Sequence, residues 1–220
     1  LSLGIDLFEH DARFLSDEYD QLNIGGNISL GKPLGTYNRV NLIYGLESIE
    51  VQNVDTNASD LIKQEEGTRS KSSLTLELVH DTRDSVFLPT RGNRSSSSAM
   101  FAGGPVGGET EIYGFTGRSS QFFPLWFDHV FNLRGYAAMV EDYGSLGRVP
   151  IFDRLFLGGP RTVRGFRFRD VGPKVLDQGE SGSEEPLGGK SALCGTAEYT
   201  MPVAEKVRLA AVYEGGIVWA

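Results

Sequence analysis

The stretch Gln21-Leu22-Asn23-Ile24-Gly25-Gly26-Asn27-Ile28-Ser29-Leu30 decides the fold. Leu22, Ile24, Gly26, Ile28 and Leu30 fall on one side of an extended chain, and Gln21, Asn23, Gly25, Asn27 and Ser29 on the other. Such alternation marks a β-strand, whose successive side chains point to opposite faces. The kind of polar residue matters as much as the period. A sandwich strand turns its wet face to bulk water and fills it with Lys, Glu and Thr. Here the polar face carries Asn, Gln, Ser and Gly, opposite a face of Leu and Ile.

The pattern recurs along the chain. Leu1, Leu3, Ile5 and Leu7 oppose Ser2, Gly4 and Asp6; Val40, Leu42, Tyr44 and Leu46 oppose Arg39, Asn41 and Ile43. Leu74, Leu76 and Leu78 oppose Thr75 and Glu77, and Phe131 and Leu133 oppose Asn132 and Arg134. Further strands are expected near 93–102, 111–122, 129–138, 191–200 and 208–218, about nine in all. Apolar-out, polar-in repetition of this kind is the dyad pattern of an antiparallel transmembrane β-barrel. Leu74, Leu76 and Leu78 are expected to face lipid, with Thr75 and Glu77 in the lumen.

Composition agrees. Glycine numbers 28 among 220 residues, and each glycine in a helix costs about 1 kcal/mol, so an all-β chain is expected. A net charge of −8 argues against nucleic acid as a partner, because phosphates demand a basic footprint. One cysteine excludes an intrachain disulfide framework. Both ends, Leu1 to Leu7 and Ile217-Val218-Trp219-Ala220, read as strand, as expected of a piece of a longer protein.

Connections alternate in length. Short ones are expected at 31–36, 82–91, 123–128 and about 204–208, and longer ones at 9–19, 48–70 and 139–189, with 103–109 the exception. Barrels have short turns at one rim and long loops at the other. Phe122-Phe123-Pro124-Leu125-Trp126-Phe127 at a short connection reads as an aromatic girdle at the membrane interface, or as a small core beneath a turn. Within 139–189, residues 158–174 are expected to fold back as an ordered hairpin with Val163, Phe166 and Phe168 to bury. The acidic, Gly/Ser-rich stretch 177–186 is expected to be exposed.

No enzymatic constellation survives. Gly189-Lys190-Ser191 lacks the earlier glycine of a phosphate loop, where Glu184 stands instead. His10, His80 and His129 lack metal-ligand spacing, and no Gly-x-Ser-x-Gly elbow occurs. Neither a metal nor a cofactor is expected, and the chain is not expected to be an enzyme.

Two segments are more specific. The first is Asp81-Thr82-Arg83-Asp84-Ser85-Val86-Phe87-Leu88-Pro89-Thr90-Arg91-Gly92; the second is Gly158-Gly159-Pro160-Arg161-Thr162-Val163-Arg164-Gly165-Phe166. Separately they read as a polar hairpin turn and a glycine-hinged basic loop. Together, in this order, the chain resembles the superfamily of the outer-membrane-protein assembly factor BamA. The D-x-R-D…P-T-x-G signature falls on Asp81, Arg83, Asp84, Pro89, Thr90 and Gly92, and the V-R-G-F/Y motif on Val163, Arg164, Gly165 and Phe166. Gly172-Pro173-Lys174, Gly188-Gly189, Ala197-Glu198-Tyr199…Pro202 and Tyr213-Glu214-x-Gly216 continue the likeness.

The resemblance implies a sixteen-stranded barrel of which residues 1–220 form strands five to thirteen, the long stretch at about 139–189 being the sixth loop. An odd number of strands is not expected to close a barrel by itself. Periplasmic domains and gate strands are not expected in this chain. The implied function is insertion of unfolded β-barrel precursors into the bacterial outer membrane, with outer-membrane lipid and accessory lipoproteins as further partners. A protein-translocating pore of the same superfamily and a soluble β-sandwich binding module are the alternatives. The resemblance also places the loop arginine, Arg164, against acidic residues at Glu198 and Glu214. A hairpin tip centred on Lys206 would set those two glutamates directly opposite each other, where like charges repel, and a guanidinium fork between them would remove the conflict.

Overall fold

The structure, a computed structural model, describes residues 1–12, 19–56, 58–144, 147–176, 184–204 and 207–220. Its regular structure is mostly strand: β1 Ser2–Ala12, β2 Asp20–Pro33, β3 Asn38–Gln52, β4 Gly67–Asp81, β5 Gly92–Ala102, β6 Ile112–Pro124, β7 Val130–Asp142, β8 Lys174–Leu176, β9 Glu184–Pro186, β10 Ser191–Ala204 and β11 Val207–Trp219. One four-residue helix, Asp60–Lys63, lies between β3 and β4. Nine strands form a single antiparallel sheet in the order β1-β2-β3-β4-β5-β6-β7-β10-β11, with β8 and β9 a separate small hairpin within the long connection. The first and last strands are the edges of the sheet and do not pair with each other.

Register fixes the faces. Asn41 pairs with Glu77 and Leu42 with Leu76 across β3 and β4. The Asn41 amide donates to the Glu77 carboxylate at 2.8 Å on the inner face. Leu74, Leu76 and Leu78 are exposed on the outer one. Outer-face apolar side chains continue across the sheet through Leu3, Ile5, Ile28, Leu46, Phe115 and Ile217, all exposed. Such an extended apolar surface is what a sheet presents to hydrocarbon rather than to water.

The strands outrun the lengths expected from alternation, because the inner face changes character along them. Toward the long connections, Ile49 and Val51 of β3, Ala102 of β5, Ile112 of β6 and Val140 of β7 point inward and are buried. The connection between β7 and β10 covers them. Its Val149 joins Ala102, Ile112 and Val140; its Ile151 joins Tyr19, Val51, Ala58 and Ile62; its Leu157 and Val163 join Ala192, Cys194 and Val218. The long connection is thus a packed insert on the inner face, anchored in three apolar clusters.

At the opposite rim the turns are short. Trp126 and Phe127 are 65% and 83% exposed, so this aromatic cluster is no core beneath a turn. Phe127 and Asp128 both take left-handed φ, 57° and 58°, at the tip of the turn 125–129 between β6 and β7, which the His129 N–H closes by donating to the Trp126 carbonyl at 3.2 Å. Paired positive φ gives the turn twist that matches antiparallel strands.

Candidate functional site

The tip of the insert is Val163-Arg164-Gly165-Phe166, a turn in which the Phe166 N–H donates to the Val163 carbonyl at 3.2 Å. Val163 buries itself against the sheet, 3% exposed. Beside it the Arg164 backbone N–H donates to Glu214 Oε2 at 2.7 Å, and its Nε to Glu214 Oε1 at 2.8 Å. Its Nη2 donates to Glu198 Oε2 at 3.0 Å, an oxygen that also accepts from Arg134 Nη2 at 2.9 Å. Two carboxylates from β10 and β11 therefore share two guanidinium groups, one from the insert and one from β7. Charge-assisted, forked bonds of this type fix position as well as supply energy.

The register between β10 and β11 is not the one a tip at Lys206 would give. Glu198 pairs with Val212, and Glu214 with Thr196, so the glutamates are diagonal neighbours on one face rather than directly opposite. The ladder shifts between Pro202 and Ala204, a β-bulge the alternation does not reveal. Residues 205–206, where that tip was expected, lie outside the described residues. Diagonal placement leaves room for the arginine fork, since such neighbours stand about 7–8 Å apart.

Gly216 completes the seat. A Cβ there would lie 2.8 Å from Leu157 Cδ1 and 3.1 Å from Val163 Cγ2, so the insert rests directly on glycine backbone. Gly165, by contrast, has no left-handed φ, and a Cβ on it would meet nothing within 4 Å. Phe166 and Phe168 are 53% and 60% exposed, not buried. Of the three side chains expected to bury, only Val163 does, and Leu157 joins it. Of the acidic stretch 177–186, residues 177–183 lie outside the described residues, while Glu184–Pro186 pairs with Lys174–Leu176. Between the tip and the sheet lies a cavity of about 500 Å³ lined in part by Arg118, Arg134, Tyr136, Arg161 and Arg164. Arg118 stacks over the Tyr136 ring at 5.1 Å. Neither Arg118 nor Tyr136 was singled out from the sequence.

The second motif is a self-closed turn at the short-turn rim, away from the insert. Arg83 donates from Nε and Nη2 to both oxygens of Asp81, at 2.9 and 2.7 Å. Asp84 accepts the Thr90 N–H at 2.9 Å, the Thr90 hydroxyl and the Arg91 N–H. These donors, the Thr90 hydroxyl foremost, hold the Asp84 carboxyl down to about 2. Gly92 sits at φ 97° with its Cα facing Thr82 O, where a Cβ would be 2.3 Å away. Pro89 lies within this turn, next to Thr90. The six signature residues thus shape a turn and do not meet Arg164.

A nine-stranded sheet with one apolar face and a basic loop tip seated on paired glutamates is a specific arrangement, and comparison with known proteins identifies it. The model of the Omp85 superfamily domain matches residues 1–220. The chain belongs to the Omp85 superfamily. Among Omp85 relatives, it is 31% identical over 180 residues to outer membrane protein assembly factor BamA of Nitratidesulfovibrio vulgaris, covering 82% of this chain and 22% of that protein. It is 29% identical to BamA of Neisseria meningitidis serogroup B over 100% of this chain and 30% of that one. The sorting and assembly machinery component 50 homolog of Mus musculus is 34% identical over 53% of the chain and 24% of its own length. The crystal structure of BamA from Haemophilus ducreyi lacking POTRA domains 1-3 superposes with a TM-score of 0.83 at 20% identity, over 99% of this chain and 46% of that one. The chain spans less than a third of the length of the curated relatives just named. This Omp85 segment is part of a β-barrel of the bacterial outer membrane.

Proposed function

We propose that the full-length protein folds and inserts β-barrel precursors into the outer membrane, with the 163–166 tip docked on the lumen face by Arg164. The match to relatives named outer membrane protein assembly factor, over most of this chain, carries the reading. The Arg164 contacts with Glu198 and Glu214 support the role of the tip. Its partners are the unfolded precursors, the surrounding lipid and accessory lipoproteins of an assembly complex.

The physical logic is strand addition. An unpaired strand edge is a template for another chain, and a barrel that opens between two strands offers such edges to a client. The chemistry is exchange of backbone hydrogen bonds, and it consumes no nucleotide. A docked insert braces the inner face of the sheet while the seam elsewhere opens.

The test is precursor folding by the full-length protein in liposomes. Wild-type protein accelerates folding over protein-free liposomes, and Arg164→Ala reduces that acceleration by about tenfold or more, the factor for each 1.4 kcal/mol of lost docking. Equal rates with and without the protein would overturn the assembly reading. Wild-type rates from a folded Arg164→Ala protein would remove Arg164 from it.

A further inference from the structure

The Arg164 cluster holds the tip of the insert. Nearer its start, the 3-10 turn Ile151–Asp153 lies over the inner face of β3 and β4. There the Lys71 ammonium of β4 reaches Asp153 of the insert and, at 3.4 Å, Glu47 of β3. All three are largely shielded: the side chains are 7% exposed for Lys71, 10% for Asp153 and 23% for Glu47. Ile151, two residues before Asp153, sinks into the apolar cluster of Tyr19, Val51, Ala58 and Ile62. The Asp153 oxygen that does not meet Lys71 is buried and has no hydrogen-bond partner among the described residues. Lys71 is therefore what balances this carboxylate.

We infer that Lys71 is a positioning residue: it clamps the start of the insert to β3 and β4. Seated in its three apolar clusters and tied beside this point by Arg148 to Glu65 at 3.2 Å, the insert is a strap with one ionic anchor near its start, Lys71–Asp153, and one at its tip, Arg164–Glu198–Glu214. The second anchor rests on the docked tip proposed above; the first does not. Between the two lie β5, β6 and β7, so the strap spans most of the sheet. A buried ammonium between two carboxylates on different elements holds both, and its removal leaves like charges facing each other in a shielded site. With both anchors closed, β3–β4 and β10–β11 keep a fixed separation across the lumen.

The test is amide hydrogen exchange on the full-length protein in nanodiscs. Lys71→Met speeds exchange over 149–157 by about tenfold or more, as local opening without global unfolding does, while 160–166 stays protected. Lys71→Met combined with Asp153→Asn restores most of the lost protection, because the repulsion between the Asp153 and Glu47 carboxylates is gone although the packing change remains. Asp153→Asn alone, which leaves Lys71 its Glu47 partner, also speeds exchange over 149–157 and serves where Lys71→Met does not fold. Unchanged exchange over 149–157 in these single variants would overturn the inference. Equal exchange in the single and double Lys71 variants would also overturn it, making Lys71 a packing residue. None of these readouts depends on precursor assembly, so the clamp and the assembly reading fail separately.

Discussion

Arg164 meets its two carboxylates with 41% of its side chain open to solvent, while Glu214 is 8% and Glu198 21% exposed. That asymmetry sets the size of the effect. Breaking a fully buried pair costs about 3–5 kcal/mol, whereas charge-assisted bonds reached by water contribute roughly 1.5–3 kcal/mol. Arg164→Ala is expected to destabilise docking of the tip by the smaller amount, read from the exchange protection of 160–166. Two glycines separate motif from mechanism. Gly216→Val drives a side chain into Leu157 and Val163 and is expected to cost about 1–3 kcal/mol of docking, whereas Gly165→Ala meets open space and is expected to stay within about 0.5 kcal/mol of wild type. The same exchange measurement ranks them. Asp84 gives a pH dependence. Its carboxyl sits at about 2 in the folded turn, below the ordinary aspartate value of about 3.9. A depressed folded value means that its contribution is present in full above the ordinary value and fades as pH falls through the folded one. Protection of the Thr90 and Arg91 amides is therefore expected to persist to pH near 4 and to decline toward about 2. Loss of that protection at pH 5 to 6 would contradict this.

At the scale of the strand, one substitution separates the two faces. Leu76→Arg puts charge on the lipid face and is expected to cost roughly 2–4 kcal/mol at the bilayer midplane. Thr75→Arg, one residue away on the lumen face, is expected to leave folding yield within about 0.5 kcal/mol of wild type. Folding into vesicles, followed by denaturant titration, compares them. The alternation that makes this contrast was plain in the sequence for Leu22–Leu30 and Leu74–Leu78, because lipid and lumen demand opposite side chains at each step. It was not plain at the strand ends. In β3 the inward residues change from Arg39, Asn41 and Glu47 to Ile49 and Val51, which the insert buries. That change of inner-face character resembles the end of a strand, so the alternation predicts an end near Leu46 while the strand runs to Gln52. The β10–β11 bulge was hidden for another reason, since one extra residue near a tip leaves the alternation intact on both sides.

For the molecule as a whole, the open nine-stranded sheet was accessible from the alternation, whereas Glu198 and Glu214 opposite Arg164 came only with the family resemblance, the alternation having set the two glutamates directly opposite where they are diagonal. The other holding points of the insert came from neither. Lys71, Asp153 and Val149 belong to no motif, and only folding brings Lys71 to Asp153 or Val149 to Ala102 and Ile112, which are far away in the chain. The aromatic rings of Phe166 and Phe168 misled for a physical reason: large apolar side chains attract a burial assignment, yet the smaller Val163 fits over the glycine backbone at 216. Cys194, on the inner face of β10, makes the docked insert measurable. Its thiol is 6% exposed, packed against Leu157 and Val163, with its Sγ 3.6 Å from the Thr162 carbonyl. The decisive measurement is the rate at which a water-soluble maleimide labels Cys194 in folded, membrane-embedded full-length protein carrying no other cysteine. Docking by Arg164 predicts slow labelling in wild type and labelling faster by about tenfold or more in Arg164→Ala, as expected when a local closed state loses more than about 1.4 kcal/mol. Fast labelling of the wild-type thiol, or equal slow rates in both proteins, would contradict it.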